Sequence, residues 1–490
     1  MQGIRAKLTF LFQSTKGLIL VAIALISLVT AGLGTLSGPM REWGVTDFVV
    51  RTFGLRLVEA EREGRIILLY HTIAIAVVAV ETYIITALVP MKDHERTQIN
   101  GTITFGYLLT LVFGLWFGYF GHNFVFHGLY LFGLSLTFFA GLLLAKALWP
   151  WRKEFRVASQ AYAHWGTVDL ERVAFFVMAI AMLGSALFGA VTGSYWGNGH
   201  ETFLAEDILR EPEKTALQLA IIGHLHIMLT LIAVALALIV GRWLDFKGVW
   251  HKLSMPLFIL GTIVITLGVW AVVPFEPIAH TFIYIGSTIV LLGALFLVIF
   301  GFRKLIRERL DAQGIGKATF GQALEALLHD PLKFGALWQM VFMNFVVSGP
   351  GIFMAVKLDE IFRMWALRDE RLILTGHWHI LSGIIATIIL LYYGDLAGLK
   401  GRVRQVFGWV VIVFSDLAFA ATTIFMMKRL FVTASAERPL VNTTTLLMDI
   451  GLGAVLLALA ALMVWRLVDL FKKRGRWRVE LEETGMEVSQ

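Results

Sequence analysis

Long apolar runs recur along the whole chain, and they constrain its fold more than any other feature. A bilayer core about 30 Å thick is crossed by roughly 20 apolar residues of helix. Because hydrocarbon offers no partner for free backbone groups, each such run has to be helical. Twelve segments of this length lie near 17–37, 65–90, 101–120, 124–147, 173–195, 215–240, 252–273, 278–302, 335–356, 372–394, 404–427 and 443–468. The sequence therefore predicts an all-α, polytopic membrane protein with about 12 transmembrane helices.

The composition agrees with this fold class. Of 490 residues, 58% are hydrophobic and only 16% are charged, which is too little polar surface for a soluble domain of this size. Neither a soluble domain nor a low-complexity linker interrupts the runs, so 1–490 is expected to form a single transmembrane domain. The absence of cysteine excludes disulfides, thiolate metal sites, iron–sulfur clusters and covalently attached haem.

Charge differs between the two sets of loops. Basic residues collect in the loops after even-numbered segments and in the C-terminal tail, as in Lys92, Arg96, Arg152, Lys153, Arg242, Lys247, Arg303, Lys304, Lys400, Arg402, Arg404, Lys472 and Lys473. The opposite loops are mixed or acidic, as around Glu201 and Glu206. The positive-inside rule then predicts cytoplasmic termini, in a bacterial or archaeal cytoplasmic membrane. The net charge of +7 reflects this orientation, and no nucleic-acid partner is expected.

Histidines carry the chemistry of the predicted spans. Four of the thirteen, namely His94, His164, His251 and His329, fall in cytoplasmic loops and are expected to be solvated. Six others share one layer, about 5–15 Å below the outer surface at a rise of 1.5 Å per residue. They are His71 in the second span, His224 and His226 in the sixth, His280 at the start of the eighth, and His377 and His379 in the tenth. Polar groups in lipid are costly, so this layer indicates a functional site.

The tenth span carries the sharpest pattern, Thr375-Gly376-His377-Trp378-His379-Ile380. Two histidines that are two residues apart on a helix diverge by about 200°, so they cannot serve one metal ion. They can serve two cofactors on opposite sides of the helix. With haem as the cofactor, each ring would give an axial nitrogen to its own iron. The alternative is two neutral histidines that hydrogen-bond to neighbouring helices.

With these motifs, the chain resembles subunit I of the haem–copper oxidase superfamily, which includes the nitric oxide reductases. The resemblance extends over most of the chain and implies two b-type haems. It implies that His377 holds the high-spin haem, and that His379 pairs with His71 around the low-spin haem. It also implies that Lys428 and Arg429 contact haem propionates, for which an interfacial pair of basic side chains is the alternative.

The resemblance further implies a non-haem iron or copper beside the high-spin haem. Gly223-His224 and Ala279-His280-Thr281 resemble the segments that supply its histidines, but Thr281 stands where the third histidine belongs. His226 or Glu276 would have to replace it, or the second metal has been lost. The alternative for His226 is that it binds no metal and hydrogen-bonds to a haem edge or a neighbouring helix. A family tyrosine four residues after His224 is Met228 here, which favours nitric oxide over oxygen.

Two functions remain open from the sequence. One is a respiratory oxidoreductase in which electrons pass from the low-spin to the high-spin haem and reduce a small gas. The other is a non-catalytic dihaem electron-transfer subunit, and a cytochrome c-type subunit or quinol would be the electron donor for either. A plain transporter would explain the apolar runs but not the histidine layer. The acids Glu81, Asp416 and Asp449 lie inside spans and are candidates for proton transfer.

Overall fold

The computed structural model describes residues 2–36, 39–58, 62–121, 123–156, 159, 161–196, 216–357, 360–365 and 367–482. The acidic loop around Glu201 lies outside these residues. Eleven long helices dominate: α2 Thr15–Gly34, α5 Arg62–Leu88, α6 Asp93–Phe120, α7 Phe124–Ala147, α8 Leu170–Val191, α9 Ala216–Trp243, α10 Val249–Trp270, α11 Glu276–Ala312, α15 Leu367–Leu396, α16 Gly401–Met426 and α17 Glu437–Phe471. The shorter helices are α1 Gln2–Gln13, α3 Pro39–Glu42, α4 Val45–Phe53, α12 Phe320–Leu328, α13 Pro331–Phe342, α14 Gly349–Val356 and α18 Arg476–Glu482. A small antiparallel pair, β1 His164–Trp165 and β2 Val168–Asp169, precedes α8.

The chain is an all-α, polytopic integral membrane protein. Within the described residues, eleven helices are long and apolar enough to cross a bilayer. They coincide with eleven of the twelve predicted spans. The remaining predicted span, 335–356, is helical but divided into α13, a π-helix Met343–Ser348 and α14.

Proline explains this division. Pro350 has no backbone N–H, and in a regular α-helix its ring would clash with the carbonyl four residues earlier. The chain instead widens just before it, and the N–H of Gly349 reaches back five residues to the carbonyl of Asn344. A π-turn of this kind often marks a functional site.

Small residues bring the helices close together. In α6, a Cβ on Gly106 would lie 2.8 Å from the backbone nitrogen of Thr137 in α7. In α10, a Cβ on Gly261 would lie 2.9 Å from the backbone nitrogen of Val290 in α11. Such contacts are typical of helices that pack by van der Waals fit, because lipid is as apolar as the side chains. Near the histidine layer, α9 contacts both α5 and α15.

One histidine interpretation is wrong. His251 was expected to be solvated, but it is fully buried in the first turn of α10. Its Nδ1 accepts a hydrogen bond from the backbone N–H of Ala163 at 2.8 Å. The loop before β1 folds back over α10 and covers the ring. His94, in contrast, is exposed as predicted.

Candidate functional site

The same short motif occurs on two helices of the histidine layer. In α9 it reads Gly223-His224-Leu225-His226-Ile227, and in α15 it reads Gly376-His377-Trp378-His379-Ile380. The third helix, α5, contributes Tyr70 and His71. Each motif sends its two histidines toward different neighbours, and the three helices are joined by three ring contacts.

The first contact joins α5 to α9. The rings of His71 and His224 have centroids 6.1 Å apart and planes that differ by 23°. Nδ1 of His224 lies 3.0 Å from the carbonyl oxygen of Ser185 in α8. Because a carbonyl only accepts, this nitrogen carries the proton and the other ring nitrogen has the lone pair. A backbone carbonyl on one nitrogen commonly orients a histidine that binds metal through the other.

Glycine makes this arrangement of His224 possible. A Cβ on Gly189 in α8 would lie 2.3 Å from Cε1 of His224 and 2.6 Å from its Nδ1. Any larger residue would therefore displace the ring. Neither Gly189 nor Ser185 was singled out from the sequence, since no local signal links α8 to a histidine some 35 residues later.

The second contact joins α9 to α15. The rings of His226 and His377 have centroids 6.2 Å apart, with planes at 35°. Nδ1 of His226 donates to the carbonyl of Ile222 at 2.8 Å, and its Nε2 accepts from the indole N–H of Trp378 at 3.2 Å. His226 is thus a neutral ring with both nitrogens hydrogen-bonded, one of them to a neighbouring helix. Beside His377, a Cβ on Gly351 of α14 would be in ordinary contact, 3.5 Å from the ring.

The third contact joins α15 back to α5. The hydroxyl of Tyr70 lies 2.6 Å from Nε2 of His379, and the ring centroids are 5.9 Å apart. The predicted partner of His379 was His71, the next residue along α5. Tyr70 is 45% exposed and His379 is also exposed, so this side of the layer is the most open.

Two of the residues predicted for a second metal, His280 and Glu276, lie at the start of α11, whereas His224 and His226 lie in α9. His280 lies against Tyr284 of the same helix, with ring centroids 6.2 Å apart. Glu276, one turn earlier, is half-buried. Among the described residues, no group of three or more histidine, aspartate or glutamate side chains is arranged to hold a metal ion.

Lys428 and Arg429 form an ionic cluster with Asp369 near the same layer. Lys428 Nζ and Arg429 Nε each lie 2.5 Å from a carboxylate oxygen of Asp369, and Arg429 also pairs with Glu437 at 3.0 Å. Burial alone would raise the pKa of Asp369, but the hydrogen bonds and charges of its two basic partners outweigh this and lower the pKa. The two basic residues thus have protein carboxylates as partners. Asp369 precedes His377 by eight residues, about 12 Å along α15.

The geometry fits imidazole ligation from two sides. With a metal–nitrogen bond of about 2 Å and an imidazole radius of about 1 Å, two rings on opposite sides of one ion have centroids roughly 6 Å apart. The His71–His224 pair has this separation, and Nε2 of His224 has its lone pair available. The His226–His377 pair has it too, but both nitrogens of His226 are hydrogen-bonded, so His226 could bind a metal only by giving up its bond from Trp378. Neutral imidazoles are also the donors that b-type haem iron takes.

Comparison of the chain with protein-family models, with curated proteins and with solved structures found no match.

Proposed function

We propose that this integral membrane protein is a haem-binding oxidoreductase that reduces a small gas with electrons entering at a low-spin haem. Histidines of α5, α9 and α15 would hold two b-type haems, one low-spin and one high-spin. The observation that carries the proposal is the 6.1 Å separation between the imidazoles of His71 and His224, with the ring of His377 in the same layer of the membrane-spanning part. When bound, haem supplies reversible one-electron chemistry.

The protein's own residues would orient and tune these ligands. The carbonyl of Ser185 keeps the proton of His224 on Nδ1, so that its Nε2 has the lone pair. The indole of Trp378 holds His226 toward α15. Met228 in place of a tyrosine favours nitric oxide over oxygen as the substrate, because a redox-active phenol is missing at that position.

Two pairings of the ligands are compatible with the proposal. The family resemblance pairs His71 with His379 on the low-spin haem and assigns His377 to the high-spin haem. The observed ring contacts pair His71 with His224 on the low-spin haem and leave His377 as the single ligand of the high-spin haem, because both nitrogens of His226 are hydrogen-bonded. Both pairings assign His71 to the first haem and differ in its partner.

Optical spectra of purified single variants test the proposal and separate the pairings. We expect haem absorbance in the wild type, and loss of the low-spin signal in His71→Ala. Loss of that signal in His379→Ala supports the family pairing, whereas loss in His224→Ala supports the observed one. His94→Ala, at an exposed histidine in the first turn of α6, is the matched control and should keep both signals. Wild-type protein without haem absorbance would refute the proposal.

A second candidate is a dihaem subunit that only transfers electrons. Thr281 in place of the third histidine for a second metal favours it. Carbon monoxide added to the reduced protein separates the two, because only a haem with an open axial position changes its spectrum. Metal analysis for non-haem iron or copper then decides whether His224, His280 and Glu276 bind a second ion.

The proposal includes the orientation and the electron donor. Basic loops after the even-numbered predicted spans favour cytoplasmic termini, in a bacterial or archaeal cytoplasmic membrane. In that orientation the histidine layer lies near the outer face. A cytochrome c-type subunit or quinol would deliver the electrons there.

A further inference from the structure

One acid in the membrane-spanning part is held by neutral side chains. Asp416 in α16 accepts a hydrogen bond from Trp338 Nε1 at 2.7 Å and another from Gln339 Nε2 at 2.8 Å. Throughout the described ranges, no basic side chain pairs with this carboxyl group. A carboxylate without a counter-ion is costly inside a membrane, so Asp416 is suited to taking up a proton.

The neighbouring amide can serve both protonation states of Asp416. Gln339 is fully buried, and its Oε1 accepts no hydrogen bond from the described residues. Its Nε2 also donates to Ser415 Oγ at 3.1 Å. A hydroxyl can donate as well as accept, so the amide can turn by half a rotation and keep Ser415 as a partner. In the observed orientation one N–H donates to the ionised carboxylate, and in the other the amide oxygen accepts the O–H of the protonated acid.

The Asp416–Gln339 pair lies deeper in the membrane than the histidine layer. Met426 in α16 is in close contact with Gly376 in α15, where a Cβ would lie 2.6 Å from the methionine sulfur. Asp416 precedes Met426 by ten residues and therefore lies about 15 Å from the level of His377. The Arg404–Asp330 ion pair, twelve residues before Asp416, lies about 18 Å away in the opposite direction.

The divided helix leads from Gln339 toward His377. Five residues after Gln339, Asn344 in the π-helix offers another buried side-chain oxygen with no donor among the described residues. Gly351 in α14 then lies beside the ring of His377. Gln339 and Asn344 thus place two buried oxygen acceptors, without donors among the described residues, on the divided helix whose far end contacts His377.

We propose that Asp416 and Gln339 form a proton-binding site in the middle of the membrane, which is protonated when electrons reach the histidine layer and releases the proton toward His377. The step converts the carboxylate and a proton from water into the neutral acid, and no other bond changes. The electron-coupled part rests on the proposed function. Proton binding itself requires no haem.

Infrared difference spectroscopy of the full chain in proteoliposomes tests whether Asp416 takes up a proton, first after a pH step and then after a reduction step. We expect a carbonyl stretching band of a protonated carboxyl group in both, sensitive to deuterium exchange. Asp416→Asn should abolish the band, and Gln339→Leu should shift it. The control is Asp449→Asn: Asp449 is exposed on α17, and nearby Gly451 packs against the Phe414 carbonyl, so both acids lie at similar depth.

Each outcome bears on one of the two proposals. A band that survives in Asp416→Asn, or disappears in Asp449→Asn instead, overturns the site. A pH-step band with intact haem but no reduction-step band overturns the coupling to electrons. A pH-step band in protein that lacks haem absorbance supports the proton site and refutes the proposed oxidoreductase. If Asp416→Asn does not fold, an unshifted band in Gln339→Leu overturns the inference.

Discussion

Adding one methyl group at Gly189 tests the packing of the histidine layer most directly. In Gly189→Ala, the new Cβ would lie 2.3, 2.6 and 2.7 Å from three ring atoms of His224, whereas ordinary contact begins near 3.4 Å. The ring would therefore have to move by about 1 Å. Overpacking of this size costs about 1–3 kcal/mol. The displaced ring cannot keep both its hydrogen bond to Ser185 and its position beside His71.

Two measurements check this prediction. Denaturant unfolding in detergent should show a free energy of unfolding lower by about 1–3 kcal/mol, and the absorbance that depends on His224 should fall. Gly193→Ala, one turn farther along, is the matched control because no packing partner among the described residues lies within 4 Å of its added Cβ. If the two variants have the same stability and the same spectrum, the packing argument for His224 is refuted.

Two other predictions concern an ion pair and a helix contact. Asp369→Asn should cost about 3 kcal/mol at neutral pH, because it leaves the buried Lys428 beside a neutral amide. The pKa of Asp369 is lowered in the folded protein, so its stabilisation is present above about pH 4 and is lost as the pH falls through the folded value. Unfolding measured between pH 5 and pH 3 should therefore show a larger loss for the wild type than for the variant; equal losses would contradict this. Gly106→Ala should destabilise by about 1–3 kcal/mol through its contact with Thr137, while Gly101→Ala, with open space around it, should be neutral in the same assay.

Much of the fold could be predicted because membrane spans obey a simple rule of length and apolarity. That rule fails where a helix changes its internal geometry without changing its composition. The run 335–356 looks like the other spans in hydropathy, yet Pro350 forces the π-turn that divides it. Burial of His251 could not be predicted for a different reason, since it depends on a loop folding back from residue 163.

For the candidate site, only the depth of each histidine in the membrane could be predicted from the sequence. Depth follows from the rise of 1.5 Å per residue, so the sequence places the histidines of α5, α9 and α15 in one layer. The partner of each ring depends on the rotation of each helix. Tyr70 and His71 differ by about 100° around α5, and a rotation of that size decides which of them faces His379. In the structure it is Tyr70.

The repeated motif explains why three helices are joined in this layer. Two histidines at positions i and i+2 diverge too far to meet at one point, so a helix with this motif contacts two neighbours. When two such helices, α9 and α15, adjoin, one histidine of each faces the other helix, as His226 and His377 do. The remaining histidines, His224 and His379, then both need a third helix. One residue of that helix cannot contact both histidines. Two adjacent residues of α5 do so, with His71 beside His224 and Tyr70 beside His379.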